Sequence, residues 1–190
     1  MHTPGAVGVI LAGGKSKRMG TDKALVELSG RPMYSWVADA LRSAGCEVVV
    51  AGRKHLGDLP CYPDIGGGPV GPLAGLLTMG PVAGGRPIVL AATDHPLLRS
   101  RTVKALLKLD DPIVAPVDAG VAQVTCAVYR MQQLDRDALE QASSIQGLIR
   151  RVPTRRVLQP EWTSWGEDGR SWFSVDTAEA LARAASWPRP

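Results

Sequence analysis

The sequence predicts an α/β fold, a single-domain three-layer α/β/α sandwich of Rossmann-like type built on a mostly parallel sheet. Three observations lead there. Short runs of aliphatic and β-branched residues recur along the chain with few polar interruptions, as strands buried on both faces do. Helical patterns fall between those runs, and strands alternating with helices form parallel sheets. Twenty-one glycines and fifteen prolines beside a single phenylalanine supply many tight turns, which a helical bundle does not need.

Val7-Gly8-Val9-Ile10-Leu11-Ala12, closed by Gly13-Gly14, reads as the first central strand entering a loop. Ser29-Gly30-Arg31-Pro32 reads as a turn whose proline opens a helix, with Met33, Val37 and Leu41 on one face and Gly45 past the end. Glu47 to Ala51 and Pro87 to Ala92 are the next buried strands, separated by a short helix from Pro72 to Met79. Arg101 to Leu109 presents Val103, Leu106 and Leu107 at helical spacing, and Ile113 to Pro116 and Val124 to Tyr129 read as further strands. The remainder predicts helices over 131–142 and 144–151, a strand over 155–158, a polar loop over 166–171 and a last helix over 177–185. With 190 residues the chain suffices for one core without staples; a nucleotide-binding part is expected over about 5–100 and an acceptor-binding part over about 101–185.

Composition narrows the class of function. Cys46, Cys61 and Cys126 are distant, odd in number and form no CxxC pair, so neither a disulfide framework nor a zinc site is expected. No stretch approaches the roughly 18 apolar residues of a membrane span, and residues 1–8 carry no leader pattern, so a cytoplasmic protein with no membrane partner is expected. The formal charge of +4 favours anionic ligands. Aromatic residues are not interleaved with Lys and Arg, so nucleotides are expected rather than nucleic acid.

The chemistry concentrates in Leu11-Ala12-Gly13-Gly14-Lys15-Ser16-Lys17-Arg18-Met19-Gly20-Thr21-Asp22-Lys23, which puts three glycines and four cations in the loop after a strand. Glycines let backbone N–H groups converge on phosphate oxygens, and Lys or Arg neutralises the remaining charge. The loop is not a Walker loop, because Val9 stands where the leading glycine belongs. Gly66, Gly68 and Gly71 spell GxGxxG, but Pro72 follows and no acidic partner stands about twenty residues on, so a dinucleotide site is not expected.

The stretch LAGGKSKRMGTDKA resembles the signature loop of the molybdenum cofactor guanylyltransferases, within the GT-A-like nucleotidyltransferases. The resemblance runs on through Gly71-Pro72-Leu73-Ala74-Gly75-Leu76, Thr93-Asp94-His95-Pro96 and Ser174-Val175-Asp176-Thr177, and so spans nearly the whole chain. It implies transfer of GMP from GTP to the molybdopterin cofactor, with Mg2+ and with an acceptor molybdoenzyme or delivery protein as a further partner. It also implies that Leu11, Ala12, Gly13 and Gly14 hold the nucleotide, that Lys23 and Arg18 meet phosphates, that Asp64 contacts the nucleotide and that Asp94 binds magnesium. Family members often carry Asn-Val-Asn-Thr where this chain has Ser174 to Thr177, which implies a second metal contact at Asp176. They often carry Asn where this chain has Ala51-Gly52, and a His/Gln-Pro pair at Gln123-Val124-Thr125.

Residue chemistry agrees with those assignments and leaves alternatives open. Magnesium is commonly held by one or two carboxylates plus substrate phosphates, which suits Asp94 at a strand end, although a cap or turn residue there is the other reading. Asp64 beside Pro63 also suits a turn, and Asp176 also suits a helix cap. His95 fits either an acid-base step or a structural role. Arg150, Arg151, Arg155 and Arg156 read as a solvated face or a phosphate receiver. Trp162, Trp165 and Trp172 read as core or as a surface for the pterin or a partner. A cytidylyltransferase acting on molybdopterin or another phosphorylated acceptor, and a silent nucleotide or cofactor carrier, remain the alternatives to GMP transfer.

Overall fold

The computed structural model describes residues 5–13, 22–64 and 69–188. Its frame is an eight-stranded sheet. β1 (Ala6–Leu11), β4 (Cys46–Ala51), β5 (Cys61–Tyr62) and β6 (Ile88–Ala92) form its parallel half, with β4 and β6 on either side of β1. β9 (Cys126–Tyr129) lies antiparallel between β6 and β7 (Ile113–Asp118), and β10 (Thr154–Val157) pairs parallel with β7 at the edge. The two-residue strand β8 (Val121–Ala122) folds back on β7.

Helices cover both faces, which confirms the three-layer reading. α1 (Met33–Ser43), α3 (Ser100–Leu107) and α6 (Gln159–Ser164) bury Val37, Leu41, Val103, Leu106 and Trp162 against Ile10, Val48 and Val50. α2 (Pro72–Ala83) and α5 (Ile145–Leu148) bury Leu73, Leu76, Met79 and Leu148 against Val7, Val9 and Val49 on the other face. The alternation of Val48, Val49 and Val50 between those two clusters is the period of two expected of a strand covered on both sides. α7 (Ala178–Ser186) closes a third cluster with Leu28, Met33, Leu97 and Val175.

Several predicted boundaries move for local reasons. Ser29-Gly30 is the loop of a small hairpin between β2 (Glu27–Leu28) and β3 (Arg31–Pro32); φ values of 52° and 76° at the two loop residues match the primed turn that joins two-residue hairpins. The helix expected over 131–142 is a 3-10 turn, Met131–Gln133, followed by α4 (Arg136–Glu140). Leu134 is extended between them, and Asp135 restarts the helix by accepting the Ala138 N–H at 2.8 Å. α2 continues to Ala83, beyond the expected Met79, and α5 is a single turn rather than the eight residues expected.

Candidate active site

The chain runs from β1 to β4 on one side and later crosses back from β5 to β6 on the other side of β1, which opens a crevice at the strand ends, where ligands bind in open α/β sheets. Three strand ends meet there. Ala12 N–H donates to Ala51 O at 3.0 Å and Gly52 N–H to Tyr62 O at 2.8 Å, which fastens the chain after β1 to the end of β4 and the chain after β4 to β5. The cleft measures about 790 Å³ and is bounded by Leu11, Ala12, Gly13, Lys23, Asp64 and Asp94 among others. Six predicted residues are therefore brought together. Gly14 and Arg18 lie outside the described residues.

Gly52 lets the chain after β4 touch the chain after β1. Its φ is +94°, and a Cβ added there would lie 2.5 Å from Gly13 Cα, so the two backbones touch where a side chain would hold them apart. The Asp64 carboxylate sits against the same contact, with Oδ2 3.2 Å from where a Gly13 Cβ would stand.

Asp94 follows β6 and is held by its main chain and its side chain together. Val175 N–H donates to Asp94 O at 2.8 Å, and the Ser174 hydroxyl donates to Asp94 Oδ2 at 3.0 Å. Lys23 Nζ lies 3.6 Å from the same oxygen, with both side chains mostly shielded. Asp94 is not a helix cap, because Arg99 occupies that position before α3.

The imidazole of His95 lies beneath this pair, with Nε2 3.9 Å from Asp94 Oδ1. Burial pushes its pKa below the ordinary histidine value against the pull of Asp94. Nδ1 is buried without a partner among the described residues.

Asp176 is half-buried and is not among the residues bounding the cleft; Ser174, two positions earlier, is. The cap of α7 is also not Asp176, because the Thr177 hydroxyl accepts the Ala180 N–H at 3.1 Å. The arginine cluster is dispersed. Arg155 pairs with Glu161 at 2.8 Å and Arg151 donates to Gln141 at 2.9 Å. Trp162 and Trp172 are core residues in edge-to-face contact at 5.2 Å.

Sequence reasoning missed Asp22 and Arg53, which bound the cleft and pair across 31 residues. The available signal was position, since Arg53 follows the strand end at Ala51 just as Gly13 follows Leu11. It also missed the Ser174 hydroxyl as the partner of Asp94.

A divalent cation suits the oxygen donors at Asp94. Magnesium takes hard oxygen ligands and usually needs only one or two carboxylates when substrate phosphates supply the rest. Among the described residues no three His, Cys, Asp or Glu side chains group to hold a metal unaided. No helix among the described residues is long and apolar enough to cross a membrane.

The model of the MobA-like NTP transferase domain matches residues 8–160. A Bacillus licheniformis protein named "Probable molybdenum cofactor guanylyltransferase" is 36% identical over 148 residues, which are 70% of this chain and 73% of that one. The crystal structure of molybdopterin-guanine dinucleotide biosynthesis protein A from Archaeoglobus fulgidus superposes with a TM-score of 0.77 at 21% identity, covering 94% of this chain and 96% of that chain. A Mycobacterium tuberculosis protein crystallised with manganese superposes with a TM-score of 0.66 at 18% identity, covering 97% and 100%. With a strand-end cleft of this form and a family match over most of its length, the chain belongs to the MobA-like NTP transferases.

Proposed function

We propose that the chain is a molybdenum cofactor guanylyltransferase, transferring GMP from GTP to the terminal phosphate of molybdopterin and releasing pyrophosphate, with magnesium as the divalent ion. The observation that carries this reading is the meeting of Lys23 and Asp94, 3.6 Å apart, in a strand-end cleft large enough for a nucleotide. Names borne by relatives supply the guanine and the pterin.

In this reaction an oxygen of the acceptor phosphate bonds to the α-phosphorus of GTP, and the bond from that phosphorus to the bridging oxygen of pyrophosphate breaks. The acceptor phosphate is already anionic, so no protein nucleophile is needed. Catalysis is then positioning and charge neutralisation. The backbones of Gly13 and Gly52 let the nucleotide approach the sheet closely, and Asp64 supplies a hydrogen-bond acceptor beside them. Lys23 faces the phosphates and offsets charge that moves onto pyrophosphate. Asp94, oriented by Ser174, would hold the magnesium ion. A magnesium ion held there would supply charge neutralisation at the phosphates.

Incubation with GTP, magnesium and molybdopterin tests the reading by mass spectrometry. The expected product is the guanine dinucleotide form of the cofactor; recovery of unchanged molybdopterin with intact GTP removes the proposal.

A further inference from the structure

Lys23 is the cation that the signature loop leads one to expect, yet a second one bounds the same cleft. It is Arg53, which follows β4. Its guanidinium forks onto Asp22, with one terminal nitrogen 3.3 Å from Oδ1 and the other in contact with Oδ2. Asp22 is itself fixed, because Oδ1 also accepts the Ala24 N–H at 3.1 Å and so caps the 3-10 turn Lys23–Leu25. One carboxylate thus sets the backbone that carries Lys23 and the head group of Arg53, across 31 residues of sequence.

We infer that Arg53 is a phosphate-binding residue of the nucleotide cleft and that Asp22 is its positioning residue. The inference rests on the nucleotidyltransferase reading and adds a ligand to it. Geometry supports it in two ways. A guanidinium that grips a carboxylate through two nitrogens offers the fork that grips a phosphate, and two of its five donors are used by Asp22. Preorganisation is the second: a side chain already held at the wall loses less freedom when ligand arrives than one recruited from solvent.

Charge makes the need explicit. Among the described residues that bound the cleft, the cations Lys23 and Arg53 face the carboxylates Asp22, Asp64 and Asp94. Lys23 is adjacent to Asp94, so Arg53 is the second cation among these residues that can offset the charge of a triphosphate. Arg53 can do so without leaving Asp22, because its remaining donors bond nothing among the described residues.

Binding of magnesium-GTP and of guanosine, measured by calorimetry on the intact chain, tests the assignment. For Arg53→Gln the expected result is a GTP Kd raised about tenfold, with guanosine affinity within about twofold of the parent. Arg53→Lys, which keeps the charge and loses the fork, is expected to recover part of the loss. Asp22→Asn keeps an oxygen for the Ala24 N–H and removes the grip on Arg53, so it weakens GTP binding, while the double variant binds no worse than Arg53→Gln alone. Unchanged GTP affinity in Arg53→Gln, an equal loss for guanosine, or additive effects in the double variant would each overturn the inference. Absence of GTP binding by the parent chain instead overturns the nucleotide reading on which it stands.

Discussion

The hydroxyl of Ser174 donates to Asp94 Oδ2 at 3.0 Å although 80 residues separate the two. The segment before the last helix therefore orients the carboxylate at the end of β6, and the N-terminal and C-terminal parts of the chain share one site. Asp94→Ala is expected to lower kcat by at least about a hundredfold, since it removes the carboxylate proposed for the metal. Its melting temperature should fall only modestly, because the Val175 N–H keeps its bond to the main-chain carbonyl at position 94 while the mostly shielded Lys23 loses this carboxylate. Ser174→Ala should cost less in kcat than Asp94→Ala. Steady-state kinetics beside thermal melts check all three statements.

Gly52→Ala is expected to destabilise the fold by about 1–3 kcal/mol, because the new methyl group meets Gly13 Cα at 2.5 Å and φ stays positive. The cleft wall moves as the two backbones separate, so GTP affinity falls together with stability. Urea denaturation paired with a GTP titration measures both.

Glu167 is the least exposed carboxylate of the chain's charged residues in the core, and it is fully partnered. It accepts hydrogen bonds from the hydroxyls of Thr102 and Ser171 and from the N–H groups of Asp168 and Gly169, with Arg99 at 3.8 Å. Glu167→Ala is expected to cost about 3–5 kcal/mol by leaving those buried donors without their acceptor, while Arg99 keeps Asp168 at 2.8 Å. Glu167→Gln should cost less, because one oxygen remains. Equilibrium unfolding of the two variants decides the order.

The Asp22–Arg53 pair carries a pH signature. The hydrogen bond from Arg53 holds the Asp22 carboxyl below its usual range, so the folded chain gives up that proton more readily than the unfolded chain. Its stabilisation is complete above the unfolded value of about 3.9 and is lost as pH falls through the lower folded value. The difference in melting temperature between the parent and Arg53→Gln should be constant from about pH 5 to 8 and shrink below about pH 4. Melts across that range test the sign.

What the sequence made legible was the part governed by local pattern. Val7 to Leu11, Val48 to Ala51 and Ile88 to Ala92 are aliphatic runs whose burial on both faces follows from composition, and the strand ends at Gly13, Ala51 and Asp94 follow from them. Lys23, Asp64 and Asp94 were legible through a motif and indeed share the cleft. Pairings fixed only by tertiary structure were not. Glu167 lies in a segment that reads as a polar loop because its partner Thr102 is 65 residues away. Asp22 and Arg53 are unremarkable alone and acquire meaning only when β1 and β4 pair. Residues of β2, β3 and β5 are too few to show any period, so register with neighbours is what defines those strands.

The most direct test of GMP transfer is pyrophosphate release measured with GTP, CTP, ATP and UTP, each with and without magnesium and molybdopterin. The account predicts release with GTP that requires both the metal and the acceptor. Release with CTP in place of GTP would reassign the base, and silence with all four nucleotides would contradict the enzyme and leave a binding protein in its place.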